Sequence, residues 1–384
     1  MRSSTKVLIS TTHKISYQII EQIASAKETP FLIMNTNIIK ERYEQFRKEL
    51  KELSDAKVFY AVKANPHPGI VKLLYELGAG FEIASKDELD LVSSLDVPPS
   101  KIVSSNPVKI PSFIESAYDR NVNSFVFDSY TEIEKLSQLA PRSNVYVRLS
   151  VSNTGSEWPL DKKFGVDVED AIVLLLEAGR KNLKPYGIAF HVGSQCSSPA
   201  TWVNAIEKSR IVWESVKNKG IELRSINIGG GFPCRHTKPV PSITEIIQTI
   251  KGSLKANFSH EQDIEIIAEP GRALVGEAGI LVTTVIGKAT RARQDWLYLD
   301  VGVFNGLMEA TGGIKYRFIT SNSGAVKRWV LAGPSCDSMD IITKSVELPE
   351  LEIGDKIYVI PAGAYTTAYA SEFDGFHIPR SYLV

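Results

Sequence analysis

A lysine closes the apolar stretch VFYAVKANPH (residues 58–67), in a run otherwise suited to a strand that ends at a turn. An amine in that setting either snorkels to solvent or is kept from water for a purpose, because desolvation favours the neutral form that attacks aldehydes. Other chemistry-bearing groups stand in comparable places: Glu82 in FEIAS, Ser105, Asp128, Arg148, His191 and Ser194 in HVGS, Gly229, Gly230 and Gly231 in GGGFP, and Glu269 and Arg272 in EPGR. Singly, each has a plain structural explanation. Glu82 and Asp128 could cap the helices that follow them, Arg148 could be an internal ion-pair partner, His191 a hydrogen-bonded core histidine, and the glycines a flexible turn. What singles them out is that each belongs to the end of a short strand-like run.

Those runs are the elements that must position them. Eight are read from the sequence, at 57–65, 80–85, 101–106, 124–129, 144–151, 185–193, 225–233 and 265–271. Amphipathic segments such as PGIVKLLYELG, SKDELDLVSSL, TEIEKLSQLA and ATWVNAIEKSRIVWESVKNKG separate them. Eight strands alternating with helices predict a (β/α)8 TIM barrel over residues 30–272, whose strand C-termini gather on one face. After Arg272 the chain reads as strands and turns without a long helix, so residues 273–384 are expected to form a β domain, with a strand added from residues 1–29, where TKVLIS is the candidate.

Composition narrows the partners. Lys plus Arg and Asp plus Glu number 44 each, so no net field draws nucleic acid or an acidic membrane surface, and a small molecule or another protein is expected. Cys196, Cys234 and Cys336 lack the spacing of a zinc site or the density of a disulfide scaffold; no metal and a reducing cytoplasm are expected. The strongest apolar run, AIVLLLEAG at 171–179, is too short to span a bilayer, and the N-terminal residues hold no long apolar stretch, so neither membrane insertion nor export is expected.

Within a barrel, glycines after the seventh strand and EPGR after the eighth fall where phosphate is commonly held, by backbone N–H groups and an arginine. Phosphate together with a Schiff-base lysine points to pyridoxal 5′-phosphate. Glu269 beside the pyridine nitrogen would keep it protonated and make the ring an electron sink for carbanion chemistry at a substrate Cα.

The ordered motifs FYAVKAN, HVGS, GGGFP, EPGR, CDSMD and GAYT resemble those of the fold-type III pyridoxal-phosphate decarboxylases, the group of ornithine, diaminopimelate and arginine decarboxylases, over almost the whole chain. SSNPVK (104–109), VRLSVSNTGSEWPLDKKFGV (147–166) and LDVGVFNGLMEA (299–310) are most similar to ornithine/lysine decarboxylases of bacterial type. The resemblance implies that Lys63 bonds the cofactor and that His191 stacks on its ring. It implies that Ser194, Gly231, Arg272 and Tyr365 hold the phosphate, that Glu269 pairs with the pyridine nitrogen, and that Glu82 stands near Lys63. Cys336 would help protonate Cα after carbon dioxide leaves, and Asp337 would face the substrate's distal group. In the family that loop comes from the neighbouring subunit, which implies a homodimer with shared sites. Without the resemblance, Cys336 reads as a buried structural thiol. The implied activity is decarboxylation of ornithine, lysine or both to the diamine, in polyamine biosynthesis.

Two departures bear on the substrate. Where the ornithine/lysine group carries an aspartate shortly after FNGL for the distal ammonium, this chain reads EATGGIKY, one residue shorter. In SEFDGF (371–376), Asp374 stands beside Phe373 where the family commonly has asparagine, and is a candidate to replace the lost charge. Otherwise the substrate is a larger or modified amino acid. Diaminopimelate decarboxylase is a rival weakened by Asp337, where that group usually shows glutamate. A racemase is disfavoured because the resemblance implies arginine rather than Glu269 at the pyridine nitrogen, and a non-catalytic homologue by the retention of Lys63, Arg272, Cys336 and Asp337 together.

Overall fold

A computed structural model of the protein describes residues 17–384 except 52, 54, 55, 161 and 262. They fall into two compact units, one of Tyr43–Pro233 and Val240–Gly271, the other of the described residues up to Arg42 with Cys234–Pro239 and Arg272–Val384.

The first described strand, β1 (Phe31–Met34), lies in the second unit. The first unit carries β2 (Ala56–Ala61), β3 (Gly80–Glu82), β4 (Ile102–Val103), β5 (Ser124–Phe127), β6 (Asn144–Leu149), β7 (Ser156–Trp158), β8 (Lys184–Phe190), β9 (Ser194–Cys196), β10 (Ser225–Asn227) and β11 (Glu265–Ala268). Eight of these are parallel neighbours in the order β4-β3-β2-β11-β10-β8-β6-β5, while β7 and β9 pair separately. Ser104 closes the ring: its N–H donates to Ser124 O (3.0 Å) and its carbonyl accepts from Val126 N (2.8 Å). This is the expected (β/α)8 barrel, filled by Phe59, Val103, Val126, Tyr146, Ala189 and Ile267 from six different strands.

The strands stop sooner than their apolar runs. β2 ends at Ala61, and Val62–Ala64 turn as a short 3-10 helix, so Lys63 is neither in a strand nor buried; its side chain is 47% exposed. Helices Lys86–Ser93 and Tyr130–Leu139 are capped by Ser85 and Ser129, which accept from Glu88 N and Glu132 N, so the capping explanation of Glu82 and Asp128 is corrected. Asp128 accepts instead from Gly165 N at 2.8 Å. A full capping box, Ser242 with Glu245, starts helix Ile243–Phe258.

The second unit is a mixed sheet. It contains β12 (Gly279–Arg291), β13 (Gln294–Leu299), β14 (Arg317–Ile319), β15 (Val326–Ala332), β16 (Ile341–Pro349), β17 (Lys356–Ile360) and β18 (Arg380–Leu383). β1 runs antiparallel to β12 and parallel to β18, and Phe31, Ile33, Ile280, Val282, Tyr358 and Ile360 pack with Ile20 of helix Tyr17–Ala26. The N-terminal strand of this sheet is therefore Phe31–Met34, whereas TKVLIS lies outside the described residues.

Gly187 on β8 shows how tightly the ring is drawn: an added Cβ would lie 2.4 Å from Ser225 O on β10 and 2.7 Å from the Tyr146 ring. A backbone oxygen cannot yield without parting two paired strands. Gly187→Ala is expected to cost about 2–3 kcal/mol in urea unfolding; unchanged stability would show that the strands separate freely.

Candidate active site

The barrel strands deliver their polar residues to one end because they are all parallel and each side chain in question lies at or near the C-terminal end of its strand or just beyond it. The 3-10 turn after β2 carries Lys63, whose Nζ pairs with Glu82 Oε2 at the end of β3. Glu82 is 1% exposed and its Oε1 has no hydrogen-bond partner. Glu88, which accepts from Ala84 N at 2.6 Å, is pushed up to about 7 by burial and by the charge of Glu82.

Glu269, just beyond β11, is buried and accepts at Oε1 from Ser105 Oγ and from Asn227 Nδ2 (2.6 Å). Burial, reinforced by Glu82, pushes its carboxyl up to about 7 against the opposing pull of those two donors and of Lys63. Asn227 also fixes the glycine turn, its Oδ1 accepting from Gly229 N at 2.9 Å. Gly229 (φ 65°) and Gly231 (φ 91°) are left-handed. Cβ atoms at 229, 230 and 231 would meet Phe190 O (2.1 Å), Glu269 O (2.6 Å) and Gly193 O (2.3 Å), so this is a fixed backbone cradle rather than a loose turn. His191 Nδ1 accepts from Gly193 N (3.0 Å); burial, then Arg148 and Lys63, depress its pKa well below the usual value and keep the imidazole neutral. Arg148 lies among the charges of Glu269, Asp128 and Glu82. Ser194 begins β9, and Cys196 N–H donates to Gly231 O (2.9 Å), tying that strand to the cradle.

The second unit holds the remaining expected residues in two groups. Arg272 forms a two-pronged pair with Glu309, with Nη1 to Oε2 at 2.9 Å, and its guanidinium lies 4.9 Å from the centre of the Tyr365 ring. Cys336 and Asp337 lie on a loop shaped by Asp340, which accepts from Ser335 N (3.0 Å), Ser335 Oγ (2.7 Å) and Val303 N (2.7 Å). Cys336 is exposed, which corrects its reading as a buried thiol, and its N–H donates to Asp374 Oδ2 at 3.1 Å. Hydrogen bonding to Asp374 and that residue's charge raise the Cys336 pKa. Phe373 packs on Phe304, ring centres 4.7 Å apart.

Sequence reasoning passed over Asn227, Glu309 and Asp340. Asn227 had a legible signal, a polar residue inside the apolar run just before GGG, and Asp340 closes the CDSMD motif; Glu309 is paired with a residue distant along the chain, which spacing does not reveal.

The barrel-end residues fit pyridoxal 5′-phosphate. Glu269 is bonded only by neutral donors, both at Oε1, and its raised pKa is the mark of a carboxylate suited to a cation such as a protonated ring nitrogen. A lysine amine, a neutral imidazole and a glycine cradle belong to the same barrel end.

Fold and donor set together define a fold-type III pyridoxal-phosphate enzyme. Residues 36–276 match the family described as pyridoxal-dependent decarboxylase, pyridoxal binding domain, and the chain is 36% identical over 371 residues to the lysine/ornithine decarboxylase of Selenomonas ruminantium, spanning 95% of this chain and 92% of that one. The chain belongs to the pyridoxal-dependent decarboxylase family. The lysine/ornithine decarboxylase of Vibrio vulnificus, solved with putrescine, superposes with a TM-score of 0.88 at 32% identity, covering 96% of this chain and 98% of that one. The arginine decarboxylase of Paramecium bursaria Chlorella virus, solved with agmatine, does so at 0.89 with 26% identity, covering 96% and 100%.

Because the folded-state pKa of Glu269 lies above its ordinary value of 4.5, its burial costs nothing at low pH and progressively more as pH rises toward about 7. Glu269→Gln is therefore expected to stabilise the cofactor-free protein by about 1–3 kcal/mol at pH 8 and hardly at all at pH 4.5, read from urea unfolding at the two pH values; equal effects at both would mean that the carboxylate is ionised throughout.

Proposed function

We propose that the protein decarboxylates ornithine, lysine or both, giving the diamine and carbon dioxide, and that it works as a cytoplasmic homodimer. The observation that carries the reading is the barrel-end arrangement in which Lys63 pairs with Glu82 while Glu269, which accepts from the neutral donors Ser105 and Asn227, opens EPGR just beyond β11. Relatives named for these substrates span nearly the whole chain. Three thiols, none in a disulfide, suit a reducing compartment.

In this reading Lys63 is the residue that bonds the cofactor, His191 packs on its ring, and Ser194, Gly229, Gly230, Gly231, Arg272 and Tyr365 hold the phosphate. Bound pyridoxal 5′-phosphate supplies a sink for the electron pair left on Cα when the carboxylate departs. Glu269 holds positive charge at the ring nitrogen, and the absence of a formal charge on His191 keeps its face apolar. Glu82 anchors Lys63 Nζ, so the amine is positioned before substrate arrives. Cys336 donates a proton from Sγ to Cα. Asp374 keeps that thiol protonated by raising its pKa, which suits an acid rather than a nucleophile.

Asp337 and Asp374 are the carboxylates assigned to the substrate's distal ammonium, with Phe373 lining its path. The exposure of Cys336, and of Met339 in the same loop, supports a site completed by a second copy of the chain. A second reading, a larger or modified amino acid, is favoured by the commitment of Asp374 to the Cys336 N–H.

Carbon dioxide release from ornithine, lysine, arginine and meso-diaminopimelate, compared in parallel, tests the substrate. Release from ornithine or lysine, abolished in Lys63→Ala and reduced in His191→Ala, is expected; release from none would send the search to modified amino acids. Asp374→Asn should raise the KM for the diamine-forming substrate about tenfold. If KM holds and the alkaline limb of the pH profile moves down instead, Asp374 serves the thiol alone.

A further inference from the structure

We propose that Glu309 is the resident counter-ion of Arg272 and that it sets how tightly the protein holds the phosphate of its cofactor. This rests on the reading of Arg272 as a phosphate-binding residue and extends it to Glu309, a residue of the LDVGVFNGLMEA stretch to which the resemblance assigns no role.

The pair is enclosed. The Arg272 and Glu309 side chains are 3% and 4% exposed, and two guanidinium nitrogens meet the two carboxylate oxygens. Arginine cannot discharge itself by losing its proton, so a buried guanidinium needs an anion at all times. Three titratable groups beside the pair do not supply one. Burial pushes the Cys234 thiol up to about 12, raises the Tyr316 phenol well above its usual range and lowers His236 to about 3, leaving all three neutral. The Tyr365 ring lies over the guanidinium but offers only its π face. Gly276 keeps the packing close, since a Cβ there would reach Cys234 Sγ at 2.8 Å and Arg272 Cγ at 3.4 Å.

Two consequences follow from one balance. Glu309 lets the cofactor-free protein fold with Arg272 buried, and the same negative charge opposes any phosphate that Arg272 receives, with little water to screen it. Glu309→Gln keeps the shape and removes the charge. The buried guanidinium then lacks the charge of Glu309, so the variant should be less stable without cofactor and gain more from binding it.

The test titrates the cofactor-free protein and Glu309→Gln with pyridoxal 5′-phosphate and, in parallel, with pyridoxal, following the absorption band of the bound aldehyde. The expected result is a dissociation constant for pyridoxal 5′-phosphate about tenfold lower in Glu309→Gln, with pyridoxal unchanged within about twofold. Glu309→Asp, which keeps the charge, should stay within about threefold of the parent for both ligands. Weaker or unaltered binding of pyridoxal 5′-phosphate by Glu309→Gln, or an equal change for both ligands, overturns the proposal. If Glu309→Gln is recovered unfolded, refolding it with and without pyridoxal 5′-phosphate decides: rescue by the cofactor supports the proposal, and failure in both overturns it. A parent protein that develops no band at all would overturn the functional reading itself, which separates the two failures.

Discussion

Two carboxylates, Glu82 and Glu269, are held out of water at one end of a closed ring of parallel strands, and the charge balance there constrains everything placed around them. Burying an unpaired carboxylate costs several kcal/mol, so each must be met by a cation or by strong donors. Lys63 meets Glu82; Ser105 and Asn227 meet Glu269 with neutral hydrogen bonds only, and the raised pKa measures what they fail to supply. Arg148, amid both, adds positive charge and helps to keep His191 neutral. A barrel end arranged for stability alone would have paired these acids with arginines or replaced them by apolar residues. Here local stability is sacrificed to a demand for positive charge, the kind of perturbation that marks chemistry.

Rigidity is distributed unevenly around that balance. The glycine turn after β10 is fixed by Asn227 and crowded by backbone oxygens on three sides, so the cradle has little freedom. The loop that presents Cys336 is likewise preset, because the Asp340 carboxylate fills the space beside Gly302 and Gly333, where a Cβ at either would come within 2.3 Å of it. Lys63, by contrast, sits on a three-residue turn, with an exposed side chain whose amine Glu82 holds.

Much of the barrel was legible because its signal is local: short β-branched runs, helical spacing between them, and polar residues where each run ends. The ends themselves were misjudged. Apolar character continues past Ala61 into the 3-10 turn, so periodicity carried Lys63 into a strand that hydrogen bonding does not extend. Glu82 and Asp128 resembled caps by position, yet Ser85 and Ser129, one residue nearer their helices in the latter case and three in the former, take that role. The motif residues of the candidate site could be read one by one, whereas Glu309 could not, since its meaning lies in a partner 37 residues away, and Asp340 stands in CDSMD with no local sign that it reaches back to Val303.

The ring of strands has a seam. Seven of its junctions are ladders between named strands, but β4 meets β5 through the single residue Ser104 and its two backbone hydrogen bonds. Ser105, the very next residue, holds Glu269. The least bridged junction of the barrel wall is thereby placed beside the hydroxyl that meets the buried acid, and away from the glycine cradle between β10 and β11. The wall is thinnest where proton affinity is set and most closely packed at the glycine cradle, a division written into strand lengths and backbone contacts rather than into any side chain.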